Sequence, residues 1–316
     1  MPKKTFLLNL SRKFLPKHTI ILKSCVLLAV FFMLAGCSGH KDLTQEMFLM
    51  GTTVRISIVS DSKKAQEAMD QAFALFKKYD DMLSFYNEDS ELNCINKHAT
   101  KAPQQVSDDM LEIINKSIYY SKITGGTFDV TATSLQTKGG YGSIMLDAQK
   151  KTVYFKNPKL KIDLGGIAVG FCVDKVVEYF NEHKINNFLI DAGGDVFARG
   201  RNKQGLLWRI GVRDPLKDDK LIEKFVLQDE AATTSGNYIK NHIIDTKLHT
   251  PAASDILSVT VIAKKCIDAD ALATAFFVMG RNKTKRFLEK QPDIKAIFAV
   301  NKNNKSELVR IGDFKK

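Results

Sequence analysis

Three groups of residues in this 316-residue chain have types and spacings that could do chemistry. Asp270 and Thr274 stand four apart in a stretch that reads as a helix, so both oxygens project from one face. Two hard oxygen donors suit magnesium, which keeps some of its waters and borrows phosphate oxygens rather than filling a protein cage. The same pair also reads as an acid favoured by the helix dipole beside an ordinary buried hydroxyl, and on spacing alone this plainer reading is preferred. His242 and Asp245, in Asn241-His242-Ile243-Ile244-Asp245, follow a turn-like Thr233-Thr234-Ser235-Gly236. They read either as a base and its orienter or as two unrelated loop residues. Two Gly-Gly corners, Gly165-Gly166 after Ile162-Asp163-Leu164 and Gly193-Gly194 after Ile190-Asp191-Ala192, let another group approach the backbone closely. The first also opens a helix, whose N–H groups and dipole favour an anion, although Gly-Gly between strand and helix is more often plain turn chemistry.

Other chemistries lack support. Ser235 has no Gly-x-Ser-x-Gly elbow around it, and six histidines form no metal cluster. Cys94, Cys172 and Cys266 are far apart, odd in number and without C-x-x-C spacing, which argues against a disulfide framework and a structural zinc.

The elements that must position these residues are legible from periodicity. Val54, Ile56 and Ile58 alternate as a half-buried strand, and Ala65, Ala68, Met69, Ala72, Phe73, Phe76 and Tyr79 fall on one helical face. Asp108 to Lys122 reads as a helix capped by Ser107 and stopped at Gly125-Gly126, after which Phe128-Asp129-Val130 restarts extended chain. Ile144 to Leu164 reads as short strands with turns at 147–151 and Asn157-Pro158. A helix follows from about Ala168 to His183, then a strand at Phe188-Leu189-Ile190, a strand from Ser258 to Ala263 and a helix from Asp268 to Gly280. Repeats and heptads are absent, and the irregular alternation points to an α+β chain, a single mixed α/β body, rather than a doubly wound nucleotide fold.

With 44% hydrophobic and 26% charged residues, the chain is long enough for one large or two ordinary domains, and disorder is excluded. Its formal charge of +12 is half leader: residues 1–36 hold six basic side chains and no acidic one, ahead of an 11-residue apolar run from Cys25 to Ala35. A stable membrane-spanning helix needs about 20 apolar residues, so the leader reads as a secretory signal peptide. Leu34-Ala35-Gly36-Cys37 resembles a bacterial lipobox, which implies lipidation of Cys37 and a mature chain of 280 residues anchored to the extracytoplasmic face of a bacterial membrane. Residues 37–46 read as a polar tether and 47–316 as the folded domain. The remaining excess of basic residues forms no dense stripe apart from a weak Lys/Asn-rich end, so nucleic-acid binding loses its main support.

Taken in order, the motifs resemble the FAD:protein FMN transferase (ApbE) family. The matching stretches are Met50-Gly51-Thr52-Thr53, Leu83-Ser84-Phe85-Tyr86 through Asp89-Ser90-Glu91-Leu92 to Asn96, and Gly126-Thr127-Phe128-Asp129. They continue with Asp163 to Gly170 and Asp174, Gly193-Gly194-Asp195, Trp208 to Pro215, Ser235-Gly236, His242 to Asp245 and Ala269 to Thr274. The resemblance implies a T-fold-like core, with FAD as substrate set against Met50, Tyr86, Thr127, Phe128, Asp129 and Asp163, and with Val169 and Ile244 in the same pocket. It implies magnesium held by the Asp270 and Thr274 side chains and a Gly166 carbonyl, His242 as base and Asp245 as its orienter. The implied reaction moves FMN from FAD to a Thr or Ser hydroxyl of a membrane-associated acceptor flavoprotein and releases AMP.

Three departures from the family pattern stand out. Val169 occupies the place of a lysine, Thr246-Lys247-Leu248-His249 stands for Pro-x-Thr-Gly, and the span from Asp129 to Asp163 is short. Val169 and the altered loop favour a flavin-binding lipoprotein without the chemistry; intact Asp270, Thr274 and His242 favour the enzyme. FAD hydrolysis, with water replacing the acceptor hydroxyl, is a further alternative.

Overall fold

The computed structural model describes residues 42–60, 64–134, 140–217, 220–237, 243–246, 248, 250–252 and 254–314. Two strands, β1 (Asp42–Leu49) and β2 (Thr52–Val59), open the chain as a hairpin in which Leu49 pairs with Thr52. Its two-residue turn has φ of 53° at Met50 and 73° at Gly51, the left-handed pair that matches strand twist. Residues 42–46, expected as part of a tether ahead of Met47, belong to β1: Thr44 and Glu46, polar because β1 is an edge strand, pair with Ser57 and Arg55.

Helix α1 (Lys64–Leu83) buries the face expected of it, including Phe73, Phe76 and Tyr79. Each large apolar side chain so buried contributes about 1.5–3 kcal/mol. Helix α2 (Glu91–His98) is capped by Ser90, whose hydroxyl accepts the Asn93 N–H at 3.0 Å, and β3 (Gln104–Gln105) follows. Ser107 caps α3 (Asp108–Ile123) as its spacing predicts, accepting the Met110 N–H at 3.2 Å. Past the left-handed Gly125 and Gly126, Phe128 to Val130 form turns rather than the expected extended chain. Asp129 fixes the turn by accepting from the Thr131 N–H and hydroxyl at 2.9 and 2.8 Å. Strands β4 (Ile144–Asp147) and β5 (Thr152–Phe155) then join β3 in a small sheet.

Helix α4 (Ala168–Glu182) leads into β6 (Phe188–Ala192) and β7 (Asp195–Arg199), joined at Gly193-Gly194. After the hairpin β8 (Trp208–Arg213) and β9 (Leu221–Leu227) comes β10 (Glu230–Gly236). Thr233 to Gly236, expected as a turn, is therefore a strand, because β-branched threonines pair well across a sheet: the Thr234 and Thr260 hydroxyls meet at 2.8 Å. A two-strand ribbon of β11 (Ile244–Asp245) and β12 (Thr250–Pro251) precedes β13 (Ile256–Ala263). Helices α5 (Cys266–Met279) and α6 (Arg281–Leu288) and strands β14 (Lys295–Lys302) and β15 (Lys305–Ile311) complete the chain.

The main sheet has eight strands in the order β1-β2-β6-β7-β10-β13-β14-β15, every neighbouring pair antiparallel. Helices α1, α4 and α5 cover one face over the principal core, and β8 and β9 cover the other with Leu227, Trp208 and Phe225 packed on Val196, Ala198 and Ile262. The mixed α/β body expected from the sequence is the fold observed. Among the described residues no helix is long and apolar enough to cross a membrane.

Candidate active site

The site forms where α4 and α5 cross. A Cβ on Gly170 would lie 2.7 Å from the Cys266 carbonyl oxygen and 2.8 Å from the Asp270 Cβ, so only glycine permits this approach. The Gly170 N–H donates to Asp270 Oδ2 at 3.0 Å. One turn along α5, Thr274 Oγ1 stands 3.5 Å from where a Gly166 Cβ would be and shares a 3.2 Å hydrogen bond with Ser235 Oγ. Gly166, Asp270 and Thr274, nominated from spacing and resemblance, are thus brought to one place.

Three carboxyls crowd this crossing. Asp174 on α4 accepts from the Cys266 and Ile267 N–H groups at 2.8 and 3.0 Å, capping α5 from a neighbouring helix. Burial outweighs those two bonds and pushes its pKa up to about 6. Asp195, two residues before the buried Phe197, faces the helices; burial raises it to about 7 against a hydrogen bond from Thr233, with Asp191 adding to the rise. Asp270 is pushed well above the carboxylate range by burial first and by Asp195 second. A buried acid that accepts the Gly170 N–H, a hydroxyl one turn away and a glycine backbone beside it fit a hard divalent cation. No three His, Cys, Asp or Glu side chains among the described residues converge as a cage. A partial protein shell, completed by substrate oxygens and water, is the arrangement magnesium favours.

The remaining nominated residues divide into those near this crossing and those elsewhere. Phe128 is buried with its ring edge 3.4 Å from the position of a Gly166 Cβ, and the Thr127 hydroxyl donates to the Thr124 carbonyl at 3.1 Å. Asp163 accepts from the Gly165 N–H at 2.9 Å, while the Asp129 carboxylate is engaged by Thr131 and by the Tyr141 N–H at 3.1 Å. Both acids hold loops in shape. The Ile167 and Ala168 N–H groups bond to the Leu164 carbonyl, so the start of α4 engages its own donors and offers an anion less than its sequence suggests. Val169 packs partly buried against the core.

Ser84 and Asn93 knit the loop that carries Tyr86, which stands 94% exposed. Met50 sits at the tip of the β1-β2 hairpin. Ile244 pairs with Pro251, and Asp245 accepts the Leu248 N–H at 3.1 Å. Just beyond, the Thr246 hydroxyl donates to the Gly126 carbonyl at 2.5 Å, which draws this segment to the loop beside Phe128. His242 and Cys37 lie outside the described residues.

The model of the ApbE family matches residues 50–298. The chain belongs to the ApbE family. It is 30% identical to an FAD:protein FMN transferase of Vibrio cholerae, over 82% of this chain and 88% of that one. It is 28% identical to an FAD:protein FMN transferase of Treponema pallidum, over 86% and 89%. Among solved structures, the flavin transferase ApbE from Vibrio cholerae superposes with a TM-score of 0.78 at 26% identity, covering 87% of this chain and 98% of that one. The ApbE protein from Thermotoga maritima gives 0.77 at 26% identity, over 86% and 97%.

Within this ApbE-family chain, several functional contributions are not readable from local pattern. Asp174 and Asp195 belong to matching motifs, yet only the fold shows one capping α5 and the other facing Asp270. An acid two residues from a buried phenylalanine, and so on the same face of its strand, is the signal that marks Asp195. Asn96 acts through its amide, which bonds the Ile162 N–H and carbonyl at 2.8 and 2.9 Å and so anchors the approach to Asp163.

Proposed function

We propose that this chain transfers FMN from FAD to a Thr or Ser hydroxyl of an acceptor flavoprotein, with magnesium and with release of AMP. Membership of the ApbE family, beside relatives named FAD:protein FMN transferase, supports the transfer itself. The observation that carries the finer reading is the meeting of Asp270, Thr274 and Gly166 at the α4-α5 crossing. These residues would hold the magnesium, which when bound supplies positive charge against the pyrophosphate. Phe128 and Thr127 border the flavin site, and the exposed Tyr86 offers a ring for a planar partner. The acceptor hydroxyl forms a bond to the FMN phosphorus as the bond from that phosphorus to the AMP oxygen breaks. His242 takes the hydroxyl proton, with Asp245 orienting the imidazole.

The test is to incubate the protein with FAD, magnesium and a candidate acceptor. The expected result is an acceptor heavier by one phosphate-linked FMN together with free AMP; AMP and free FMN without a labelled acceptor would establish hydrolysis instead. A positioned base contributes about 10²-fold or more. His242→Ala is therefore expected to lose transfer on that order while FAD affinity, read by flavin fluorescence, stays the same. A parallel loss of affinity would make His242 a binding contact.

Lipid anchoring through Cys37 belongs to the same proposal and sets the enzyme beside membrane flavoproteins outside the cytoplasm. Cys37→Ala is expected to leave an unlipidated precursor with a folded body. Incorporation of labelled palmitate into that variant would refute the anchor.

A further inference from the structure

Beside the flavin loop a groove of about 590 Å³ runs from Gly125 and Thr127 to the end of α5 and along α6. Lys283 and Arg286 of α6 and Lys290, just past its end, line it, and all three are exposed. No carboxylate lines the groove, and among the described residues no ion pair involves any of the three. Other cations of this chain have acidic partners, as Lys78 has Asp109, Lys97 has Glu88 and, at the start of the same helix, Arg281 has Asp255. The inner end of the groove is Thr127, next to the Gly126 carbonyl that holds Thr246 and one residue from the Phe128 ring beside Gly166.

We propose that this groove docks an acidic segment of the acceptor protein, flanking the hydroxyl that receives FMN. The proposal rests on the transferase reading for the identity of its partner. Three cations without an ion pair, in a groove that no carboxylate lines, complement a run of Asp and Glu, and the volume suits a few side chains rather than a folded surface. Contiguity with the Gly126-Phe128 loop sets the docked segment where its neighbouring hydroxyl reaches the flavin phosphate. Cations at the edge of such a contact act mainly on encounter and on salt dependence.

The test uses the whole protein and a labelled peptide bearing one Thr flanked by Asp and Glu, beside the same peptide with Asn and Gln in their place. Lys283→Gln/Arg286→Gln/Lys290→Gln is expected to weaken binding of the acidic peptide about ten-fold, as three modest exposed charge contacts together allow. Parent binding should fall with added salt, and the Asn/Gln peptide should bind parent and variant equally weakly. Lys285→Gln, on the same helix but outside the groove, serves as the control and should change nothing. Thermal melting of the triple variant at the parent temperature shows that its fold is kept. Equal binding of the acidic peptide to parent and triple variant overturns the proposal, as does a triple variant that loses FAD affinity instead, which would make the groove part of the flavin site. If peptide binding depends on the three cations but no acceptor gains FMN, the groove stands and the transferase reading fails.

Discussion

Asp270→Asn is expected to lower FMN transfer by about 10³-fold or more and, at the same time, to raise the melting temperature of the metal-free protein at neutral pH. On the proposed magnesium reading, the rate loss follows from removing the buried carboxylate that would hold the cation against the pyrophosphate, a contribution of several kcal/mol to the barrier. The gain in stability follows from the carboxyl cluster. Burial and the neighbouring acid raise the Asp270 pKa in the folded state, while the unfolded chain keeps a value near 4. As pH rises above about 4 the unfolded state gives up a proton that the folded state retains, so stability falls until the raised value is passed. Asp174, at about 6, and Asp195, at about 7, act in the same direction. The metal-free parent should therefore melt at its highest temperature nearer pH 4 to 5, as far as these groups decide it, and lose stability towards pH 7; the Asn variant should lose less. Magnesium should raise the melting temperature of the parent at pH 7 and leave the variant unmoved. Equal stabilisation of both proteins by magnesium, or transfer at the parent rate in the variant, would show that the cation is held elsewhere.

Gly170→Ala is expected to destabilise the protein by about 2 kcal/mol or more, although the same change in an unobstructed helix gains about 1 kcal/mol. The added methyl would stand 2.7 Å from a backbone carbonyl oxygen and 2.9 Å from its carbon, atoms that cannot swing aside as the end of a side chain can. One of the two helices must move, and with it the N–H that Gly170 gives to Asp270. Urea denaturation should show a lower midpoint at unchanged slope, and transfer should fall further than the lost folded fraction explains. Gly142→Ala, where nothing lies within 4 Å, is the matched control and should be close to neutral. A Gly170→Ala protein as stable as the parent would mean that the helices have room to part.

These two effects mark the boundary between what local pattern reveals and what it hides. Helix α1 was legible because its apolar residues recur at the helical period, and α3 because Ser107 and the glycine pair punctuate it. Asp270 and Thr274 were likewise legible as a pair on one face. Their meeting with Gly166 was not, since it depends on a helix crossing between segments a hundred residues apart. Thr233 to Gly236 misleads for a different reason: small polar residues suit turns, and only the strands on either side, β7 and β13, make them a sheet interior. Residues 42–46 look like a tether because an edge strand facing solvent carries the polar residues that linkers also carry.

Asn237 bears on how this family can change. Its side-chain oxygen accepts the Ile243 N–H at 3.0 Å, its amide nitrogen donates to the Ile243 and Ala252 carbonyls at 3.3 Å, and the Ala252 N–H returns to Ile243 at 2.9 Å. A single side chain thus ties the end of β10 to both ends of the β11-β12 ribbon that precedes β13. The stretch Thr246-Lys247-Leu248-His249, which stands for the family's Pro-x-Thr-Gly, lies in sequence between these two anchor points, so exchanges within it are expected to leave the register of β10 and β13 unchanged.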